Sequence, residues 1–195
     1  SAIYPVTLKV MGVHNIYNAL ASIAVADSLG IPMETIIRNL ENFKGTHRRL
    51  ELKGYLNGIK IIDDYAHHPT EIKASLKALR RSTKNKIWCI FQPHTYTRTK
   101  MLLNSFATSF GEADKVIIPD IYAAREKDNG LIHSTHLVEA LIKNGVDAEY
   151  ISSFENIEKY ILDHAKKGDI VVTMGAGNVN TIGEQLLKSN EKEAI

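Results

Sequence analysis

Four short segments hold most of the side chains able to do chemistry: Asp63, Asp64, Tyr65, His67 and His68; Gln92, His94, Thr95, Tyr96 and Arg98; Asp120, Tyr122, Arg125 and Glu126; and the glycine-rich MGAGNVN from Met174 to Asn180. Each follows a short apolar run that reads as a strand. In open α/β sheets ligands bind beyond the carboxyl ends of the strands, so these acids, imidazoles, phenols and guanidinium groups are expected to meet at one sheet edge. His67 and His68 invite a zinc reading, because imidazole and carboxylate are good zinc ligands. Adjacent residues do not easily face one ion, however, and no Cys or Glu-x-x-His spacing accompanies them, so a hydrogen-bonded loop is the better reading. The glycines Gly175 and Gly177 follow a strand and open a helix, as in a dinucleotide fingerprint. The third glycine is misplaced and too little chain remains for an acidic ribose ligand, so close backbone packing, or a helix N-terminus facing an anion, is favoured over NAD. A G-x-x-x-x-G-K-[ST] phosphate loop is absent from the sequence. Nearer the start, Asn15 and Asn18 lie three apart on one helix face, and Asn carries both the donor and the acceptor that an adenine edge needs; an N-cap is an equal reading for Asn15. Arg48 and Arg49 stand beside a flexible Gly45-Thr46, where phosphate contact and ordinary surface charge are both open readings.

The elements that must position these groups follow from periodicity. Ile16, Leu20, Ile23 and Ala24 recur at helical spacing from Asn15 to Leu29, and Gly30 with Pro32 is a stop signal. Met33, Ile36, Ile37, Leu40 and Phe43 form the stripe of a second helix, with Gly45 where a helix C-terminus takes a left-handed residue. The domain boundary is placed there, giving 1–45 and 46–195. LELKGYLNGIKIIDD then reads as a hairpin turning at Asn57-Gly58. Strands are expected at Ile59 to Asp63, Ile87 to Phe91, Val116 to Pro119, Glu149 to Ser152 and Ile170 to Met174. Helices are expected at Thr70 to Arg81, Thr99 to Gly111, Thr135 to Lys143, Phe154 to Lys166 and Thr181 to Lys188. Pro69 suits a first helical position, Gly145 and Gly168 follow helix ends, and Thr181 with Glu184 has capping-box spacing. Five apolar strands alternating with helices predict an α/β fold, an open, mostly parallel sheet covered on both faces.

Composition narrows the function classes. The 195 residues amount to one full domain plus a remnant, and 44% hydrophobic with 24% charged residues is an ordinary globular balance. Lys plus Arg at 24 against Asp plus Glu at 22 leaves +2, no electrostatic footprint for nucleic acid or an anionic membrane. The single cysteine, Cys89, lies in the apolar run KIWCIF and reads as a buried inert thiol in a reducing cytoplasm. No run approaches a membrane span, and the start SAIYPVTLKV lacks the order of a secretory signal, so a soluble, unsecreted chain is expected.

Taken together, HNIYNALASIAVA, FKGTHRRLE, DDYAHHPTEI, FQPHTYTRT, DIYAARE and MGAGNV occur in the order found in the Mur ligases, which the chain resembles along nearly its whole length. HHPTE with QPHTYTRT resembles the branch that joins L-alanine to UDP-N-acetylmuramate; the murein tripeptide ligases of cell-wall recycling share a similar DDxAHHP loop and are the alternative. The resemblance implies the end of a three-domain, cytoplasmic, ATP-dependent and Mg2+-dependent enzyme of peptidoglycan precursor synthesis. The amino-terminal UDP-sugar domain, and the part of the central domain with the phosphate loop and magnesium ligands, would lie outside this chain. Residues 1–45 would be the last helices of the central ATPase domain and 46–195 the Rossmann-like ligase domain. On the same basis Asn15 and Asn18 border the adenine, Asp64 touches the nucleotide and Arg49 lies by the phosphates. Tyr65, His67, His94 and Arg98 form the amino-acid side, with Arg98 the partner of the alanine carboxylate; Arg49, Asp64, His67 and Arg98 are the expected catalytic set. Some relatives carry Arg where this chain has Thr95, which would leave the carboxylate one cation instead of two. Without a phosphate loop, a binding or regulatory module with no catalysis is the reading from a different class.

Overall fold

Periodicity in the first part of the chain resolves into two helices, α1 (Val13–Ser28) and α2 (Met33–Asn42). The computed structural model describes residues 3–193, with two compact units meeting between His47 and Arg48. Helix α1 follows Gly12, at φ 97°, so Asn15 is not its N-cap; its amide instead donates to the Met11 carbonyl at 2.7 Å. The helix closes through Gly30, at φ 74°, with Gly30 N–H bonded to Asp27 O and Ile31 N–H to Ala26 O, a Schellman pair that satisfies two terminal carbonyls. Gly45 does not do the same for α2. That helix stops at Asn42 because Phe43 turns extended, and Gly45, at φ 100°, only bends the chain further on.

The second unit contains β1 (Glu51–Leu56), β2 (Ile59–Asp64), α3 (Pro69–Ser82), β3 (Ile87–Phe91), α4 (Tyr96–Met101), α5 (Leu103–Ala107), β4 (Lys115–Ile118), α6 (Ser134–Lys143), β5 (Ala148–Tyr150), α7 (Phe154–His164), β6 (Ile170–Met174) and α8 (Asn180–Glu193). The six strands are ordered β1-β2-β6-β3-β4-β5, antiparallel only between β1 and β2. The β1–β2 hairpin turns through Asn57 and Gly58, both at positive φ (49° and 82°), whose twist matches that of the strands. Because β6 enters the sheet last, between β2 and β3, its glycine-rich exit lies between the exits of those two strands.

The strands are apolar on both faces because both are covered. On one face Ile61, Ile90, Ile117 and Val171 pack with Ile157 and Ile161 of α7 and Ile182 and Leu186 of α8. On the other, Phe91 meets Phe106 and Phe110 at ring distances of 5.4 and 5.2 Å, and Ser75 of α3 bonds Asp64. That aromatic cluster explains a departure from the expected Thr99 to Gly111 helix. The helix begins earlier, at Tyr96, and breaks at Leu102 (ψ 11°), so that Phe106 and Phe110 reach Phe91. The Thr181–Glu184 capping box is also not formed: α8 starts one residue earlier, Glu184 accepts from the Asn180 side chain, and the Thr181 hydroxyl donates to Asn178 O. Reciprocal caps occur instead at His68 with Glu71 and at His133 with His136, where a neutral imidazole Nδ1 accepts a backbone N–H.

Arg48, itself at φ 54°, closes the unit at its first residue. Its Nε donates to Asp63 at 2.8 Å, its Nη1 to Gly177 O at 3.1 Å and its Nη2 to Gly175 O at 2.9 Å. Asp63 accepts a further bond from the Thr173 hydroxyl at 2.7 Å, and its side chain is 2% exposed against 16% for Arg48. Removing one partner of a buried pair leaves the other charge uncompensated, so Arg48→Ala should cost about 3–5 kcal/mol of unfolding free energy. Urea denaturation measures this; a loss below about 1 kcal/mol, typical of an exposed pair, would contradict the reading.

Candidate functional site

The exits of β2, β3 and β4 bring together four of the side chains expected to contact an amino acid. Tyr65 leaves β2 with the Arg48 guanidinium 4.9 Å and that of Arg49 5.9 Å from its ring centre. The His67 ring stands edge-on to Tyr65 at 5.5 Å, and its Nδ1 lies 2.9 Å from the Tyr65 carbonyl oxygen. That contact fixes the tautomer: Nδ1 carries the proton and Nε2 the free lone pair. His94, at the β3 exit, lies 6.3 Å from His67 and stacks on Tyr122 of the β4 exit at 5.5 Å and 15°. Arg98, on the first turn of α4, comes within 3.5 Å of His94 Nδ1. Burial, then the Arg98 and His67 charges, push the His94 imidazole below its usual value, which favours the neutral ring that accepts from Arg98.

Thr95 is committed elsewhere. Its hydroxyl donates to Glu126 Oε1 at 2.6 Å, and Thr97 N–H donates to Glu126 Oε2 at 2.9 Å. These bonds hold the Glu126 carboxyl below the usual carboxylate range and place a negative charge on the N-terminus of α4. The helix that carries Arg98 is thus capped by a residue from the loop after β4, a pairing that no local spacing announces.

Asp64 and Arg49 differ in accessibility. Asp64 is 2% exposed and accepts from Leu50 N–H, Ala66 N–H and the Ser75 hydroxyl at 3.2, 2.7 and 2.9 Å. Burial pushes its carboxyl up against those bonds and the Arg49 charge. It therefore organises the segment before β1 and the β2 exit from within. Arg49 has 51% of its side chain exposed, with a 3.5 Å approach to Glu71 and the Tyr65 ring 5.9 Å away, leaving a cation available to a ligand. Arg48, by contrast, is neither a surface charge nor free for phosphate.

The glycine-rich exit of β6 packs closely. A Cβ on Gly175 would stand 2.8 Å from Gln92 O, and one on Gly177 would collide with the Gln92 side chain and lie 2.8 Å from Tyr122 Cγ. The loop thereby wedges against the residue on which His94 stacks, and close backbone approach accounts for both glycines. Gln92, Tyr122 and Glu126, which the sequence offers by type without a role, stand at these exits, and so does Glu71, which the sequence reading did not single out.

Within the first unit a cavity of about 410 Å³ is lined by Asn15, Asn18, Ala19, Ile36, Leu40 and Phe43. Asn18 Nδ2 donates to Asn15 Oδ1 at 3.1 Å, leaving Asn18 an unspent carbonyl oxygen beside apolar walls, a setting that suits a flat heteroaromatic base. Among the described residues no three His, Cys, Asp or Glu side chains group to hold a metal ion; His68 caps α3. Cys89 is buried and unreactive, its thiol pushed up by burial. No helix among the described residues is long and apolar enough to cross a membrane.

The family model described as "Mur ligase, glutamate ligase domain" matches residues 48–177. The UDP-N-acetylmuramate--L-alanine ligase of Acetivibrio thermocellus is 55% identical over 190 residues, covering 97% of this chain and 40% of that protein. Among solved structures, the UDP-N-acetylmuramate-alanine ligase of Thermotoga maritima superposes with a TM-score of 0.82 at 29% identity, over 98% of this chain and 41% of that one. The murein peptide ligase of Psychrobacter arcticus reaches 0.68 at 31% identity, over 94% of this chain and 38% of its own. The chain thus spans about two fifths of these relatives, and with a family model over residues 48–177 and a relative 55% identical along nearly its whole length, it belongs to the Mur ligases.

Proposed function

We propose that this chain is the C-terminal part of an ATP-dependent, cytoplasmic ligase that joins L-alanine to UDP-N-acetylmuramate. The observation that carries this is the gathering of Tyr65, His67, His94 and Arg98 at adjoining strand exits, in a chain 55% identical to a UDP-N-acetylmuramate--L-alanine ligase. A carboxylate is a poor electrophile, so the γ-phosphoryl group of ATP is first transferred to the lactyl carboxylate of the sugar, giving an acyl phosphate and ADP. The amine of L-alanine then attacks the acyl carbon, and phosphate leaves the tetrahedral intermediate to give the amide.

Each residue has a part in this reading. Asn15 and Asn18 face the adenine in the first-unit cavity. Arg49 offsets charge on the transferring phosphates, and Asp64 serves the nucleotide from behind by holding the Leu50 amide. Arg98 pairs with the alanine carboxylate, Tyr65 and His94 wall the pocket, and His67 Nε2 takes the proton that the α-ammonium must lose before attack. A magnesium ion would neutralise phosphate charge, and most of the groups that would hold it lie outside this chain. The exposed apolar residues Ile16, Tyr17, Leu20 and Val25 of α1 are then covered by the amino-terminal and central portions of the same protein.

The full-length protein should release phosphate only when ATP, magnesium, UDP-N-acetylmuramate and L-alanine are all present, while the 195-residue chain alone should release none above background. Turnover with L-alanyl-D-glutamyl-diaminopimelate in place of L-alanine would favour the murein tripeptide ligase instead, and sustained turnover by the chain alone would refute the division of labour.

The hold on the carboxylate has its own test. Losing one partner of a buried charge pair costs about 2–5 kcal/mol, or roughly 30-fold to several thousand-fold in kcat/KM for L-alanine. Full-length Arg98→Ala should fall in the upper part of that range, because Thr95 is bonded to Glu126 and supplies no second cation. Arg98→Lys should recover little, since an ammonium lacks the bidentate fork. Near-normal kcat/KM in a variant of unchanged melting temperature would rule the assignment out.

A further inference from the structure

Glu71 stands at the third position of α3, where a carboxylate serves as half of a capping box, yet its two oxygens reach beyond that role. Oε2 accepts from His67 N–H at 3.0 Å and His68 N–H at 3.2 Å, and lies 3.6 Å from His67 Nδ1. Oε1 faces Arg49 Nη1 at 3.5 Å. One carboxylate is therefore shared between the exposed cation proposed for the phosphates and the imidazole proposed for the amine. Local helix capping needs only the first set of bonds.

We propose that Glu71 is a positioning residue that couples the two halves of the site, releasing Arg49 when phosphate binds and thereby giving its undivided charge to His67. The inference rests on the ligase reading above. A pair at 3.5 Å with a half-exposed guanidinium is weak, and a polyphosphate offers that guanidinium more charge than one carboxylate does. Once Arg49 turns to phosphate, the Glu71 charge beside His67 favours the protonated imidazole, so His67 accepts a proton more readily. The Nδ1 proton stays between Tyr65 O and Glu71 Oε2, and the new proton arrives at Nε2. An N–H bond of the α-ammonium breaks, its electron pair stays on nitrogen for attack on the acyl carbon, and the imidazole becomes imidazolium. Nucleotide binding thus readies the base before the amine is used.

The charged and titratable neighbours of His67 fit this arrangement. Tyr65 faces it from the β2 exit and Glu71 from α3, while His94 faces it from the β3 exit at 6.3 Å, backed by Arg98 and Glu126. Burial alone would raise the Glu71 carboxyl, but the His67 and His68 amides and the His67 and Arg49 charges outweigh it and hold it below its usual value.

Glu71→Gln in the full-length ligase separates the two roles, because the amide oxygen still accepts from the His67 and His68 N–H groups while the charge is gone. The melting temperature should stay within about 2 °C of wild type, well inside the shift expected for a lost cap. kcat with L-alanine should fall roughly tenfold, part of the roughly 10²–10⁴-fold that a general base supplies. The acid limb of the pH profile should move to lower pH by about one unit, since the imidazolium loses its counter-charge. Combining Glu71→Gln with Arg49→Gln should give less than the product of the single effects, as expected of residues acting through one coupling. An unmoved acid limb, or fully multiplicative effects, would overturn the proposal, and a lower melting temperature with an unmoved limb would reduce Glu71 to a cap. Failure of the wild-type protein to use L-alanine would overturn the ligase reading itself, which keeps the two failures apart.

Discussion

A partly buried guanidinium governs the geometry of the whole sheet edge. Arg48 bonds Asp63 at the end of β2 and the carbonyls of Gly175 and Gly177 after β6, and its Cζ stands 4.9 Å from the Tyr65 ring centre. Charge removed from water is tolerated when it is paired and hydrogen-bonded, and here each of the three guanidinium nitrogens donates one bond. The geometry propagates outward from that point. Tyr65 precedes His67, and Gly177 abuts Tyr122, on which His94 stacks in reach of Arg98. Three loops with no regular structure of their own thereby acquire one arrangement.

The same logic divides the charged residues into two groups. Arg48, Asp63 and Asp64 are spent on the fold, their hydrogen-bonding capacity taken up by the chain itself. Arg49, His67 and Arg98 keep capacity for a ligand: an exposed guanidinium, an unspent Nε2, and a fork that meets only one neutral imidazole. In the proposed ligase the first group sets positions and the second does the binding and proton transfer.

Much of the fold was legible from periodicity alone. The runs Ile87 to Phe91 and Ile170 to Met174 are strands over the very residues expected, because apolar segments bounded by charged and Gly residues have few other ways to bury both faces. Asn57-Gly58 gave the hairpin for the reason that both residues tolerate positive φ. What escaped sequence reading was non-local. Of two adjacent arginines one is partly buried and bonded within the fold and one exposed, and nothing in their own positions distinguishes them; Asp63, fifteen residues on, does. The Glu126 contact to Thr95 and Thr97 crosses 31 and 29 residues. The break at Leu102 answers to Phe91, and the imidazole caps at His68 and His133 fall outside the usual capping residues. The candidate site was therefore readable as a set of residue types at strand exits, while its internal order was not.

A crystal structure of the full-length protein with L-alanine and a non-hydrolysable ATP analogue would place the amino acid outright. The carboxylate is expected within hydrogen-bonding distance of both Arg98 nitrogens, with the amine turned towards His67 Nε2 and the phosphates on Arg49. L-alanine held away from the exits of β2 and β3, or Arg98 still turned to His94 with ligand bound, would contradict the assignment of this sheet edge as the amino-acid site.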